Sequence, residues 1–193
     1  MSGKWAKMRE GTWDRGIPYG ELRTRLLTLI QIARRQAQLG YKRARKRLAN
    51  LYVLFIQLEN AARVSEAYDA YLAYLETGQR KVWVRVRKHR KGQRQRLIVI
   101  PPELPEPGKC PQPASLAAVE VFAQSIGLNT HTLRYARITD LAKRKVHPAI
   151  LGKMTKHVNI KWLINYIQER EAEELLERLV MGDAEESRGQ EVS

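Results

Sequence analysis

Residues 101–113, PPELPEPGKCPQP, hold six of the eight prolines in the chain. Proline has no backbone N–H and a fixed φ, so this stretch can be neither a helix nor a central strand. It reads as an extended connector between two blocks of regular pattern. In the first block, ELRTRLLTLIQIARRQAQ (21–38) sets Leu22, Leu26, Leu29, Ile30 and Ala33 on one helical face, and Gly40 closes it. KRARKRLANLYVLFIQLEN (42–60) predicts a second helix. NAARVSEAYDAYLAYLETG follows with Tyr68, Tyr71 and Tyr74 at helical spacing, as packing residues. KVWVRVR (81–87) and QRLIVIP (95–101) are short β-patterned runs, the first alternating Val82, Val84 and Val86 with Trp83, Arg85 and Arg87. Joined through Gly92, they predict a hairpin.

Beyond the connector, SLAAVEVFAQSI (115–126) and residues 131–145 read as helices. Pro148 suits the first turn of a short helix, and Asn159 the N-cap of a helix over about 160–180. The expected class is α+β, mainly α with a small antiparallel β-hairpin. The first 18 residues read as irregular, broken by Gly11, Gly16 and Pro18, with Trp5 and Trp13 either packed on the body or stacked on bases.

Charge narrows the function. Net charge is +15 over 193 residues. Residues 169–193 hold nine acidic and three basic side chains, which leaves +21 on the first 168. Such an excess is expected of a protein on nucleic acid or an anionic surface. No apolar run approaches the roughly 18 residues a membrane span needs, and the N-terminus has no apolar core of a secretory signal. The lone Cys110 forbids an internal disulfide and fits a reducing compartment. No Cys/His group has zinc spacing.

Reactive side chains concentrate in HTLRYARITDLAKRKVHPAILGKMTKHVNIKWLINY (131–166), which carries His131, Arg134, His157 and Tyr166 at offsets of 3, 23 and 9. Two imidazoles, a guanidinium and a phenol suit attack on a phosphodiester. Arginine neutralises the non-bridging oxygens that repel a nucleophile. The phenol needs a base or a positive field to lose its proton, and histidine can take a proton or donate one. A second arginine and an acid for the leaving oxygen must come from upstream. Arg63, with Glu66 three residues on to orient it, fits the first need, although an ordinary ion pair explains the same spacing. Lys91 on the hairpin tip fits the second, or is simply solvated. The basic runs Lys42, Arg43, Arg45, Lys46, Arg47 and Arg87, Lys88, Arg90, Arg94, with Lys156, are either solvated charge or phosphate contacts.

In this order the motifs resemble the catalytic domain of the tyrosine recombinases, the phage-type integrases and the Xer-type and Cre-type recombinases, over roughly residues 20–168. NAARVSEA is similar to the family's first arginine box, often T-G-x-R-x-S-E. RKGQRQRLIVIP is similar to G-K-G-x-x-R before an apolar run, HTLR to H-x-x-R, and KHVNIKWLINY to G-H followed by the nucleophile. Two glycines of the family pattern are replaced, by Ala61 and by Lys156. The family's helical core-binding domain has no counterpart in the residues ahead of the first helix.

The resemblance implies the recombinase catalytic fold and a metal-independent, cofactor-free DNA strand transfer. Tyr166 becomes a 3′-phosphotyrosine and Arg63 and Arg134 hold the phosphate. Lys91 protonates the 5′ oxygen, His131 takes the phenol proton and His157 donates to the phosphate. It further implies double-stranded DNA as partner, homo-oligomers on DNA, no membrane, and a cytoplasmic, nucleoid-associated place in a mobile element. The acidic segment 169–193, with Leu175, Leu176, Leu179 and Val180 on a helix, packs on a neighbouring subunit or on its own. Three rivals stand beside this reading: a type IB topoisomerase, a DNA-binding accessory relative with a weak or dead site, and a nucleoid protein explained by charge alone.

Overall fold

The computed structural model describes residues 17–86 and 95–156, together with the helical residues 172, 173, 175–177, 179 and 180. The chain forms two compact units, residues 1–144 and 145–193. The first contains helices α1 (Tyr19–Gln38), α2 (Lys42–Glu59), α3 (Val64–Thr77), α4 (Leu116–Ser125) and α5 (Thr130–Lys143), with strands β1 (Lys81–Arg85) and β2 (Gln95–Val99). The second contains α6 (Pro148–Thr155). This is the mainly α, α+β architecture expected.

The centre of the first unit is α2. Every residue from Leu48 to Leu58 is buried, so this helix is enclosed on all sides rather than amphipathic. It packs against α1, α3, α4 and α5. The stripe read on α1 faces it: Leu22, Leu26, Ile30 and Ala33 are buried and Leu29 is half-buried. Tyr71 and Tyr74 of α3 are fully buried and Tyr68 partly so, as packing residues should be. Gly40 supplies the left-handed turn after α1, with φ 84°.

The strands pair antiparallel in the register Val82↔Ile98 and Val84↔Arg96. Val82, Val84 and Val86 lie on the buried face, and Trp83 and Arg85 on the open one. On β2 the buried face carries Arg96, Ile98 and, just past the strand, Ile100.

The proline-rich connector is extended for most of its length, but Pro107–Lys109 forms one 3-10 turn where the sequence predicts no helix. Proline at the start of that turn loses nothing, because the first N–H of a helix has no internal partner. Side chains of the bundle hold the connector by its carbonyls. Arg80 donates to Pro101 at 2.8 Å and Leu104 at 3.0 Å, Tyr74 to Pro105 at 2.9 Å, and Tyr71 to Pro111 at 2.7 Å. Arg34 donates to the Glu103 carbonyl.

Pro148 opens α6 as expected, and Ser115 and Asn129, which the sequence reading did not assign as caps, cap α4 and α5 through their side chains. Asn159, the expected cap of a later helix, lies outside the described residues, as do Trp5 and Trp13. Leu175, Leu176, Leu179 and Val180 are helical and exposed. Among the described residues, no helix is long and apolar enough to cross a membrane.

Candidate active site

Glu66 is the hub of the site. It lies in the first turn of α3 and is 1% exposed. A buried carboxylate is costly unless charge and hydrogen bonds compensate it. Here they come from three elements. Arg63, at the N-cap of α3, donates its backbone N–H to Oε2 at 3.0 Å and its Nη1 to Oε1 at 2.8 Å. Arg96 of β2 donates Nη1 to Oε2 at 3.0 Å. Arg134 of α5 places Nη1 3.9 Å from the same oxygen. Burial alone would raise the Glu66 pKa. The Arg63 backbone donor and the Arg96 charge outweigh it and hold the carboxyl below its ordinary value.

The guanidinium groups respond in the opposite sense. Burial, then repulsion from Arg63, brings Arg134 down to about 10, so it remains charged at neutral pH. Burial likewise lowers Arg96. Among the described residues, three guanidinium groups thus gather on one carboxylate, a formal surplus of two positive charges. Arg96 and Arg134 are buried, and the side chain of Arg63 is 24% exposed.

The turn between α2 and α3 completes the hub. Ala61 has φ 47°, in the left-handed region that favours glycine. This conformation aims its carbonyl at Arg134 Nη1, 2.9 Å away. Arg96 Nη2 donates to the preceding carbonyl, Asn60, at 2.7 Å. The Asn60 amide pairs with β2 as a strand would: Nδ2 donates to the Val99 carbonyl and Oδ1 accepts the Val99 N–H, both at 2.9 Å. Lys156, the second residue standing where the resemblance expects glycine, also has a positive φ, 52°. Both residues therefore lie in the left-handed region that favours glycine.

His131 is exposed in the first turn of α5, one turn before Arg134 on the same helical face. Asn129 Oδ1 accepts its backbone N–H at 2.8 Å. Gln57, 1% exposed in the last turn of α2, fixes this end of α5 by donating Nε2 to the Thr130 carbonyl at 2.7 Å. A cleft of about 420 Å³ opens beside His131, lined also by Glu120, Gln124, Leu128 and Asn129.

The structure thus brings together Arg63, Glu66 and Arg134 and puts His131 on the helix that carries Arg134. Lys91, His157 and Tyr166 lie outside the described residues, as do Arg87, Lys88, Arg90 and Arg94. At the start of α2, Lys42, Arg43, Arg45 and Lys46 are exposed and Arg47 is half-buried. The first turn of that helix holds no acidic residue, so its charges oppose the helix dipole rather than complement it. Lys156 is half-buried at the end of α6.

Sequence reasoning missed Arg96, Gln57 and the role of Asn60. Arg96 had a signal. It alternates in phase with Ile98 and Ile100, which places it on the inner face of β2. Gln57 stands alone within YVLFIQL, a polar group in a run too apolar to be a surface helix.

No family model matches the chain, and no solved structure matches it. Among known proteins it is similar to one named "Putative integrase ORF241" of the Acidianus two-tailed virus. The two are 29% identical over 177 residues, 88% of this chain and 70% of that protein. It is also similar to the uncharacterized protein MJ0770 of Methanocaldococcus jannaschii, 27% identical over 206 aligned positions that span 90% of this chain and 91% of that protein. The chain therefore has an integrase-like relative across most of its length.

Proposed function

We propose that this protein is a tyrosine recombinase: a site-specific DNA integrase that cuts and rejoins strands through a 3′-phosphotyrosyl link on Tyr166. The observation that carries the reading is the hub. Two arginines expected to hold one phosphate, Arg63 and Arg134, converge from separate helices on a single carboxylate with positive charge to spare. An anion with in-plane acceptor oxygens satisfies such a surplus, and a DNA phosphate is one. Similarity to an integrase-named viral protein supports the same reading.

In this mechanism Tyr166 Oη bonds to phosphorus as the P–O5′ bond breaks. Arg63 and Arg134 hold the non-bridging oxygens, where negative charge grows in the transition state. His131 accepts the phenol proton, His157 donates to the phosphate, and Lys91 protonates the departing 5′ oxygen. The phosphotyrosyl link retains the bond energy, so a second 5′ hydroxyl reverses the step without a nucleotide. Lys42, Arg43, Arg45, Lys46 and Arg47 contact the backbone of double-stranded DNA, as does Lys156, and the protein works as a homo-oligomer on it.

A nicked suicide duplex of the host element tests this. The unaltered protein forms a covalent protein–DNA adduct on a denaturing gel. Tyr166→Phe forms none and still binds DNA. An adduct persisting in that variant would refute the assignment, and supercoil relaxation without recombinant products would point to a nicking-closing enzyme instead.

A further inference from the structure

Arg96 is 3% exposed, as buried as Arg134, and unlike the two arginines assigned to phosphate it comes from strand β2. Nη1 reaches Glu66 Oε2 at 3.0 Å, and Nη2 reaches the Asn60 carbonyl at 2.7 Å. One planar group therefore touches both the carboxylate that binds Arg63 and the turn whose next carbonyl, Ala61, binds Arg134. Asn60 closes the loop by clasping Val99, three residues further along the strand that carries Arg96. A neutral side chain of similar volume would leave Glu66 with one fewer donor and the Asn60 carbonyl with none from β2. Both phosphate-binding guanidinium groups would then lose a fixed reference.

We propose that Arg96 is a positioning residue for strand cleavage: from β2 it holds Glu66 and the Asn60–Ala61 turn in register, and so sets the spacing of Arg63 and Arg134. The inference rests on the strand-transfer reading above. Arg96 does not contact DNA, so its loss leaves ground-state binding intact and appears in the chemical step. A displacement of about 1 Å at a reacting group costs on the order of 100-fold in rate.

The test compares the unaltered protein with Arg96→Met and Arg96→Lys on the nicked duplex, at a temperature where circular dichroism shows each fully folded. In Arg96→Met the single-turnover rate of adduct formation falls about 100-fold while Kd for the duplex stays within about threefold. In Arg96→Lys, which keeps a charge but lacks the planar fork, the loss is about tenfold. Among the described residues, the charged groups facing Glu66 are Arg63, Arg96 and Arg134, from three different elements. The side-chain carboxyl 13C resonance of Glu66 accordingly titrates at higher pH in Arg96→Met, and Arg96→Lys brings it back part of the way. Arg96 serving only the fold would leave the rate per folded molecule and the Glu66 midpoint unchanged, and that result overturns the proposal, as does a parallel loss of rate and Kd. Should Arg96→Met fail to fold, the lysine variant decides on the same readings. Absence of an adduct from the unaltered protein removes both readings, and is distinct from an adduct that Arg96→Met forms at full rate.

Discussion

Arginine is used in two ways in the first unit of this protein, and the contrast supports the site proposed above. At the proline-rich connector, Arg34 and Arg80 donate mainly to neutral acceptors. Arg34 binds the Tyr52 hydroxyl at 2.8 Å and the Glu103 carbonyl, with its guanidinium over the Tyr52 ring. Arg80 binds two connector carbonyls, lies over the Tyr74 ring, and has the exposed Glu106 carboxylate at 3.6 Å. These arginines replace the ladder that prolines cannot form. At the hub, by contrast, three guanidinium groups crowd one carboxylate, and two of them are buried. Crowding like charges costs stability unless an anion offsets it. Among the described residues the hub sets three guanidinium groups against one carboxylate, the arrangement that the proposed phosphate site calls for.

Substitutions at the two places separate these roles, and the largest difference is in catalysis. Arg63→Ala lowers the rate of adduct formation by on the order of 100- to 1,000-fold, the usual cost of one donor to a developing oxyanion. Arg34→Ala loses about 2 kcal/mol of stability, since a connector carbonyl is left without its donor, and keeps its rate per folded molecule. Equal loss of rate in the two would erase the distinction drawn here.

Smaller, but still large, is the effect of removing the hub's carboxylate. Glu66→Gln leaves three guanidinium groups without their counter-charge and costs about 3–5 kcal/mol by denaturant unfolding. The same group makes stability depend on pH. Its folded pKa lies below the ordinary value of 4.5, so the folded form holds its proton more weakly than the unfolded chain. The stabilisation is full above that ordinary value and fades as pH falls through the lower folded one. Acid unfolding of Glu66→Gln lacks this component. Matching profiles for the two proteins between about pH 2 and pH 5 would show Glu66 uncoupled from its arginines.

The smallest effect comes from the backbone. Ala61→Gly relieves a left-handed alanine and raises stability by about 1 kcal/mol, with the adduct rate unchanged within about twofold, because only the Ala61 carbonyl is used. A lower melting temperature would show that the alanine side chain, buried in the turn, contributes more than its conformation costs.

Much of the fold can be read from local chemistry. Helix α1 shows its face through Leu22, Leu26, Ile30 and Ala33. The connector declares itself by its prolines. The hairpin shows through the valines of β1, which fall on the buried face as alternation requires. Half of the hub is local as well. Arg63 and Glu66 stand three residues apart, and a helix start brings them together whatever the rest of the chain does. Ala61 and Lys156 do not reveal as letters that each adopts a positive φ.

Local chemistry along the chain accounts for the main helices and strands, the charge excess, and the pairing of Arg63 with Glu66, because each depends on neighbours within one or two turns. That Arg96, thirty residues from Glu66, and Arg134, further still, close on the same oxygen follows from the packed fold alone. Strand register and helix packing make those approaches. They are chosen by the core around α2, where the energy is spread over many apolar contacts rather than written at any single position.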